Sequence, residues 1–252
     1  MSLPKPYHRN WRAIKAGPNS GYSSWDTSLI RSTRSHPFIM RAYKIVQADL
    51  ERLFEYVEPS PESLQTFSYR IHELLMRACI EVKANFKAIL KTPQVDRFGN
   101  PIYNMAVYKK LDITHHLSSY EVILPIWNGP QRIIRPFEDW KSGQGISWYR
   151  AYNASKHDRH EAFKHANMDH LLTATAGLLV VLSSQFGTQD FSPGDMVLSA
   201  GDYEYHDMEA AMGSLFRIKF PNDWPDAELY DFDWSVLQKQ QDRFAKFDYD
   251  NI

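Results

Sequence analysis

One short stretch of the sequence combines side chains that could act on a phosphodiester. Arg150, Asn153 and His157 stand at positions i, i+3 and i+7, and two helical turns take about 7.2 residues, so the three would share one helix face. The guanidinium of arginine is a permanent cation whose forked donors suit phosphate. Histidine exchanges protons near neutral pH, and the asparagine between them could orient a neighbour. The spacing therefore predicts a helical site for phosphodiester chemistry.

The surrounding residues resemble the signature of the HEPN superfamily (higher eukaryotes and prokaryotes nucleotide-binding domains), in which an arginine precedes a histidine by a short fixed interval. Here Arg150 and His157 have the Arg-x6-His form, in the context Tyr152-Asn153-x-x-Lys156-His157-x-Arg159. The order along the chain is also similar. A long helical pair comes first, and the motif helix and a strongly apolar helix at 171–186 follow.

This resemblance implies a metal-independent endoribonuclease that acts as a homodimer, with two copies of the motif facing each other across a cleft. His157 would take the proton of a ribose 2′-hydroxyl or deliver one to the leaving 5′-oxygen. Arg150 would hold the phosphate and stabilise its developing charge. Asn153 would position His157 or the phosphate, while Lys156 and Arg159 would attract the RNA backbone. The products would be a 2′,3′-cyclic phosphate and a 5′-hydroxyl.

The resemblance also sets expectations about partners. It implies RNA as the substrate, no metal and no cofactor. Defence and toxin–antitoxin systems are the common setting of the family, so a protein antitoxin or regulator is a further expected partner. Some members have lost activity, which leaves open a non-catalytic RNA- or nucleotide-binding or regulatory protein.

A histidine-rich metal hydrolase is the second alternative. His157, His160, His165 and His170 fall close together, and His115-His116 lies upstream. The run from His160 to His165 narrowly misses the His-Glu-x-x-His zinc signature because its second histidine arrives one residue late. Five residues turn a helix by about 500°, so these two rings would point apart on one helix. A metal site would therefore need ligands from several segments.

Two helices are predicted before the motif. Apolar residues at helical spacing indicate a first helix that follows Pro37 and is ended by Pro59. Ser60 can cap the next helix, and Pro61 suits its first position because a missing amide donor costs nothing there. This second helix should run to about Leu90.

The motif belongs to the helical stretch predicted from about Ser147 to Gln185. Asp158 and Glu161 have the Asp-x-x-Glu spacing of a capping box, which indicates a break near 157–160. Between the two helical regions, a strand at 120–124 could turn at Asn128-Gly129 onto residues 132–134, although prolines restrict both to sheet edges. Strands at 196–199 and 215–220 and a closing helix at 234–247 complete the predicted elements.

These elements predict a mainly α protein, an HEPN-like helical bundle with a small antiparallel β insertion. We divide the chain into a basic, aromatic-containing arm at 1–35, a helical domain at 36–187 with the insertion at about 94–146, and an acidic extension at 188–252 that packs on the same domain. The arm could bind RNA or an acidic partner, and the extension could cover such a site. Both could equally serve only to stabilise the fold.

Composition excludes several classes of protein. Of the 252 residues, 43% are hydrophobic and 23% are charged, which is ordinary for a globular protein and excludes fibrous and wholly disordered chains. The net charge of -1 gives no general attraction to nucleic acid or membrane. The single cysteine, Cys79, cannot form an internal disulfide and is expected in the core. Without a visible signal peptide or an apolar run of membrane-spanning length, we expect a cytoplasmic protein.

Overall fold

The computed structural model describes residues 2–15, 36–90, 94–95, 98, 101–188 and 208–249. Helices dominate these residues, so the prediction of a mainly α protein is confirmed. In chain order they are α1 (His36–Phe54), α2 (Tyr69–Leu90), α3 (Met105–Lys109), α4 (Asp112–His115), α5 (Ser147–His157), α6 (Arg159–Ala162), α7 (Met168–Phe186) and α8 (Trp234–Leu237). Among these residues, no helix is both long and apolar enough to cross a membrane.

The centre of the bundle is α7, which packs most extensively on α2 and also contacts α1 and α5. Nearly all of its residues from Leu171 to Phe186 are buried, as expected for a helix that is apolar around its whole circumference. The Asn167 side chain accepts a hydrogen bond from the His170 amide and caps its start. Its end is set by Gly187, whose φ of +65° and whose close approach to Trp11 leave no room for a Cβ atom.

The start predicted for the second helix is wrong. Ser60 and Pro61 begin only a single 3-10 turn, Pro61–Ser63, and α2 starts at Tyr69. The intervening chain is held by the segment that enters α7, because the amides of Met168 and Asp169 donate to the carbonyls of Thr66 and Leu64. These long-range hydrogen bonds replace the helical ones that the local sequence favours. The end at Leu90 agrees with the prediction.

Five short strands lie among the described residues: β1 (Gln94–Val95), β2 (Pro101–Ile102), β3 (Glu121–Ile123), β4 (Glu209–Ala210) and β5 (Arg217–Lys219). β1 and β2 form an antiparallel pair. The larger sheet has the order β3-β5-β4, with Val122 opposite Ile218. It therefore joins the insertion to the C-terminal segment, a pairing that the sequence did not predict although strands were expected in both regions. The strand predicted at 215–220 is confirmed.

The hairpin predicted from 120–124 onto 132–134 is reduced to one bridge. Val122 and Ile134 exchange two backbone hydrogen bonds of 2.9 and 2.8 Å, and neither neighbouring pair continues the ladder. Pro125 and Pro130 lie in the connection and lack the amide donors that a longer ladder would need. The closing helix predicted at 234–247 shortens to α8, and the strand predicted at 196–199 lies outside the described residues.

The described part of the basic arm, residues 2–15, packs against the C-terminal segment. The Leu3 amide donates to the Leu229 carbonyl, and the Tyr230 amide donates to the Ala13 carbonyl. Arg12 is 2% exposed, lies 4.5 Å from the centre of the Trp224 ring and donates to the carbonyls of Thr114 and Glu228. A buried cation held in this way stabilises the fold and is not free to bind RNA.

A charge cluster joins α1 to α2. The buried carboxylate of Asp49 lies 3.1 Å from an Arg70 nitrogen and 3.3 Å from an Arg52 nitrogen, and it accepts a short hydrogen bond from Arg77. The Arg77 hydrogen bond holds the pKa of Asp49 below its ordinary value of 3.8, against the effect of burial and with help from the neighbouring guanidinium charges. The ionised carboxylate is therefore part of the folded state at neutral pH.

Replacing Asp49 with asparagine should lower the free energy of unfolding by about 2 to 3 kcal/mol at neutral pH, because charge-assisted hydrogen bonds are lost. Since the folded state depresses the pKa of Asp49, this contribution is complete above the unfolded pKa and disappears as the pH falls through the folded value. Urea unfolding followed by circular dichroism at about pH 7 and about pH 3 measures both effects. Glu73→Gln, which alters a more exposed ion pair with Arg70, should cost less than about 1 kcal/mol. An equal effect of the two variants would contradict this account.

Candidate functional site on helix α5

The predicted motif helix is present as α5, and it has two different faces. One face is buried in the core through Trp148, Tyr149, Ala151, Tyr152 and Ser155. Arg150 and His157 are exposed on the opposite face and Asn153 is half-buried beside them. The spacing of i, i+3 and i+7 therefore brings the three predicted site residues to one outward face of a single helix.

Trp148 anchors this helix to the core. Its ring is fully buried, its Nε1 donates to the Pro136 carbonyl at 2.8 Å, and it meets the Phe137 ring edge-on at 5.8 Å. Gly177 of α7 lies against the same ring, where a Cβ atom would come within 3.2 Å. The outward face of α5 is thus held from behind by packing, which fixes the positions of the backbone that carries Arg150 and His157.

His157 is the last residue of α5. The next residue, Asp158, leaves the helix with φ -131° and ψ 81°, and its side chain accepts a hydrogen bond from the Glu161 amide at 3.2 Å. This is the break that the capping-box spacing predicts. His157 consequently lies at the C-terminus of the helix, directly before this break.

The outward face is cationic, and among the described residues its side chains form no ion pair. Among the described residues, neither Arg150 nor His157 has a side-chain hydrogen bond or an ion pair, and α5 itself carries no carboxylate. The ammonium of Lys156 lies 5.8 Å from the centre of the Tyr152 ring. The side chain of Arg159, the second predicted RNA-binding residue, lies outside the described residues. A surface of this kind is suited to bind an anion.

Asn153 is half-buried at the edge of the outward face. Burial raises the pKa of Tyr149, one turn earlier, to about 12, and the nearby Asn153 side chain opposes this shift. The Asn153 amide therefore lies near a tyrosine, and among the described residues it forms no hydrogen bond with His157. The prediction that Asn153 positions His157 or a phosphate stays a prediction.

Sequence reasoning missed a pair of lysines beside α5. Lys83 and Lys87 stand at i and i+4 on α2 and therefore share one face of that helix. Burial and the nearby charges of Lys156 and Lys87 lower the pKa of Lys83, which places the three ammonium groups within electrostatic range of one another. The i, i+4 spacing is visible in the sequence, but the side of α2 that meets α5 is decided by packing.

The histidines considered as metal ligands are dispersed. His115 is buried, with one ring nitrogen 2.8 Å from Thr114 Oγ1 and the other 2.9 Å from the Arg9 carbonyl, and burial lowers its pKa to about 4. His116 stacks on Trp224 with ring centres 3.8 Å apart. His160 and His165 are exposed. Within the described ranges, no three histidine, cysteine or carboxylate side chains come together as metal ligands.

Neither a known protein family, nor a curated protein, nor a solved structure matches this chain. The resemblance to HEPN proteins therefore stays a prediction from the motif and its surroundings. Chemically, the outward face offers a permanent cation at Arg150 and a proton-exchanging group at His157, on a helix whose other face is locked into the core. That combination can bind a phosphodiester and move a proton.

Proposed function

We propose that this protein is a metal-independent endoribonuclease of the HEPN kind, with the outward face of α5 as its active site. One observation carries the proposal: Arg150 and His157 share an exposed helix face and have no internal partner among the described residues. Exposed cationic side chains that form no ion pair among the described residues, on a helix fixed by a buried tryptophan, suit a polyanionic substrate. RNA adds the 2′-hydroxyl that makes metal-free cleavage chemically accessible.

The reaction is an internal transfer at phosphorus. The 2′-oxygen attacks the neighbouring phosphorus, its proton passes to a base, the bond to the 5′-oxygen breaks, and that oxygen receives a proton. His157 serves as the base or the acid, and Arg150 stabilises the charge that develops on the phosphoryl oxygens. Lys156 and Arg159 attract the flanking backbone, and Asn153 orients the phosphate. The fragments carry a 2′,3′-cyclic phosphate and a 5′-hydroxyl.

The proposal includes a homodimer. The reaction uses both a base and an acid, and α5 contributes one histidine to its outward face. A second copy of the same face would supply the second histidine and a second arginine, as the resemblance to HEPN nucleases implies. A protein antitoxin or regulator that covers this cationic face is the partner expected if the protein serves in a toxin–antitoxin or defence system.

Light scattering on the purified protein should therefore give a mass about twice that of the 29.4 kDa chain. Because two cationic faces of α5 would meet across the cleft of such a dimer, their repulsion should weaken it, and raising the salt concentration should shift the mass toward the dimer. A wild-type protein that is monomeric at every concentration would contradict the two-motif site.

The test of the function is cleavage of labelled single-stranded and structured RNA by purified protein in EDTA. Cleavage under these conditions supports the proposal. Cleavage that appears only after zinc or manganese is restored would favour the histidine-rich hydrolase instead. RNA that stays intact in both conditions would overturn both the metal-independent nuclease and the histidine-rich hydrolase.

A non-catalytic RNA-binding protein is the second candidate, and one observation favours it. A general base is commonly held by a third group that fixes its ring, and among the described residues His157 has no such hydrogen bond. If the second copy does not supply that group, the same face would bind RNA without turnover. Saturable RNA binding by a protein that leaves the RNA intact is the result that selects this candidate.

A further inference from the structure

A second cationic feature adjoins the outward face of α5, on the flank toward α2. α2, which carries Lys83 and Lys87, packs against α5, which carries Lys156. Lys87 and Lys156 each lie near a tyrosine ring. Lys87 Nζ is 4.4 Å from the centre of the Tyr103 ring, and Lys156 Nζ is 5.8 Å from that of Tyr152. We call Lys83, Lys87 and Lys156 the lysine flank.

Among the described residues, no carboxylate forms an ion pair with the lysine flank. The acidic residue nearest to it on α2, Glu81, lines the groove between α1 and α2 together with Ile45, Ile80 and Arg77. Three like charges held near one another without a counter-charge raise the free energy of the folded protein, and a bound polyanion would relieve that repulsion.

A buried hydroxyl beside the flank also lacks a partner. Tyr108 is fully buried and its hydroxyl has no hydrogen-bond partner among the described residues. Burial, with smaller effects from Tyr149 and Tyr103, raises its pKa to about 12. Tyr149 belongs to α5 and precedes Asn153 of the outward face by one helical turn, so the unpartnered hydroxyl lies close to the helix that carries the predicted site.

We propose that the lysine flank is a backbone-phosphate track that holds the RNA strand next to the outward face of α5. The inference rests on the proposed function, since it names where the same substrate continues beyond the scissile phosphate. Lysines contact phosphates as point charges and carry no sequence information, so the track would fix the position of a strand without selecting its bases. Tyrosine rings beside two of the ammonium groups restrict where those groups can lie.

The test is RNA binding without turnover. Fluorescence anisotropy of a labelled single-stranded RNA in EDTA is measured against salt concentration for His157→Ala and for the same protein with Lys83→Gln and Lys87→Gln. Each lost phosphate contact should lower the salt slope by about 0.7, so the double change should lower it by about 1.4 and weaken binding about tenfold at low salt. The matched control is Lys239→Gln with Lys246→Gln, which removes the same charge from exposed lysines of the C-terminal segment.

The control variant should keep the slope of the parent protein. A track variant that binds with the slope and affinity of the control would overturn the inference, and so would a parent protein that does not bind RNA at low salt. These results are distinct from a failure of the proposed function. If the wild-type protein leaves RNA intact in EDTA but RNA binding depends on Lys83 and Lys87, the nuclease proposal fails and the track stands. If RNA is cut and the two lysines do not affect binding, the track fails alone.

Discussion

His157→Ala should lower the rate of RNA cleavage in EDTA by about 10²- to 10⁴-fold, the range contributed by a positioned acid or base. The fold should be unaffected, because His157 is exposed, ends α5 and has no side-chain hydrogen bond among the described residues. Surface changes of this kind typically alter stability by less than about 0.5 kcal/mol. Single-turnover cleavage measures the rate, and circular dichroism checks the fold.

The matched control is His160→Ala, an exposed histidine that follows the break at Asp158 and so lies outside α5. It should retain the wild-type rate. Arg150→Lys adds a second comparison, because lysine keeps the charge and loses the forked geometry that fits a phosphate. We expect it to be slower than wild type and faster than Arg150→Ala. Equal rates for His157→Ala and wild type would remove His157 from the mechanism.

Trp148→Ala should be the most destabilising single change considered, with a loss of about 3 to 5 kcal/mol in the free energy of unfolding. The side chain is fully buried, and its removal would leave a cavity among Phe137, Gly177 and Pro136. The Pro136 carbonyl would also lose its hydrogen bond. Because Trp148 holds the back of α5, the same change should impair RNA cleavage at temperatures where the protein remains folded. Urea unfolding measures the first effect.

Trp148→Phe separates the contribution of apolar packing from that of the hydrogen bond to Pro136. It keeps most of the apolar contact and removes the Nε1 donor. It should cost about 1 to 3 kcal/mol, the penalty for a buried acceptor left without a partner. Tyr69→Ala is the matched control for a large aromatic side chain, because Tyr69 is 69% exposed, and it should cost far less than Trp148→Ala. A stability loss as large for Tyr69→Ala would show that burial does not explain the effect.

The sequence allowed the motif helix to be predicted with its end, because the relevant signals are local. Helical spacing placed Arg150 and His157 on one face, and the capping interaction of Asp158 with the Glu161 amide needs only neighbouring residues. The same reasoning failed at Ser60, where one 3-10 turn forms and the chain then turns away to hydrogen-bond with residues that enter α7. Local propensity was overruled there by contacts distant in sequence.

Other features depended on tertiary contacts that a pattern does not contain. Pairing of Val122 with Ile218 joins segments far apart in the chain, and no local signal in the sequence indicates that partner. The positive charge of the arm was visible, but the burial of Arg12 depends on Trp224 and Glu228. The lysine flank was missed for the same reason: the face of α2 that meets α5 is set by packing of the whole bundle.

The most direct test of the central claim is to identify the ends of the fragments that the wild-type protein produces from RNA in EDTA. If Arg150 and His157 promote attack by the 2′-hydroxyl, mass spectrometry will find a 2′,3′-cyclic phosphate on one fragment and a 5′-hydroxyl on the other, and a 2′-deoxy substitution at the cut position will block cleavage there. RNA that stays intact, or fragments that carry 5′-phosphates and 3′-hydroxyls, would contradict the claim.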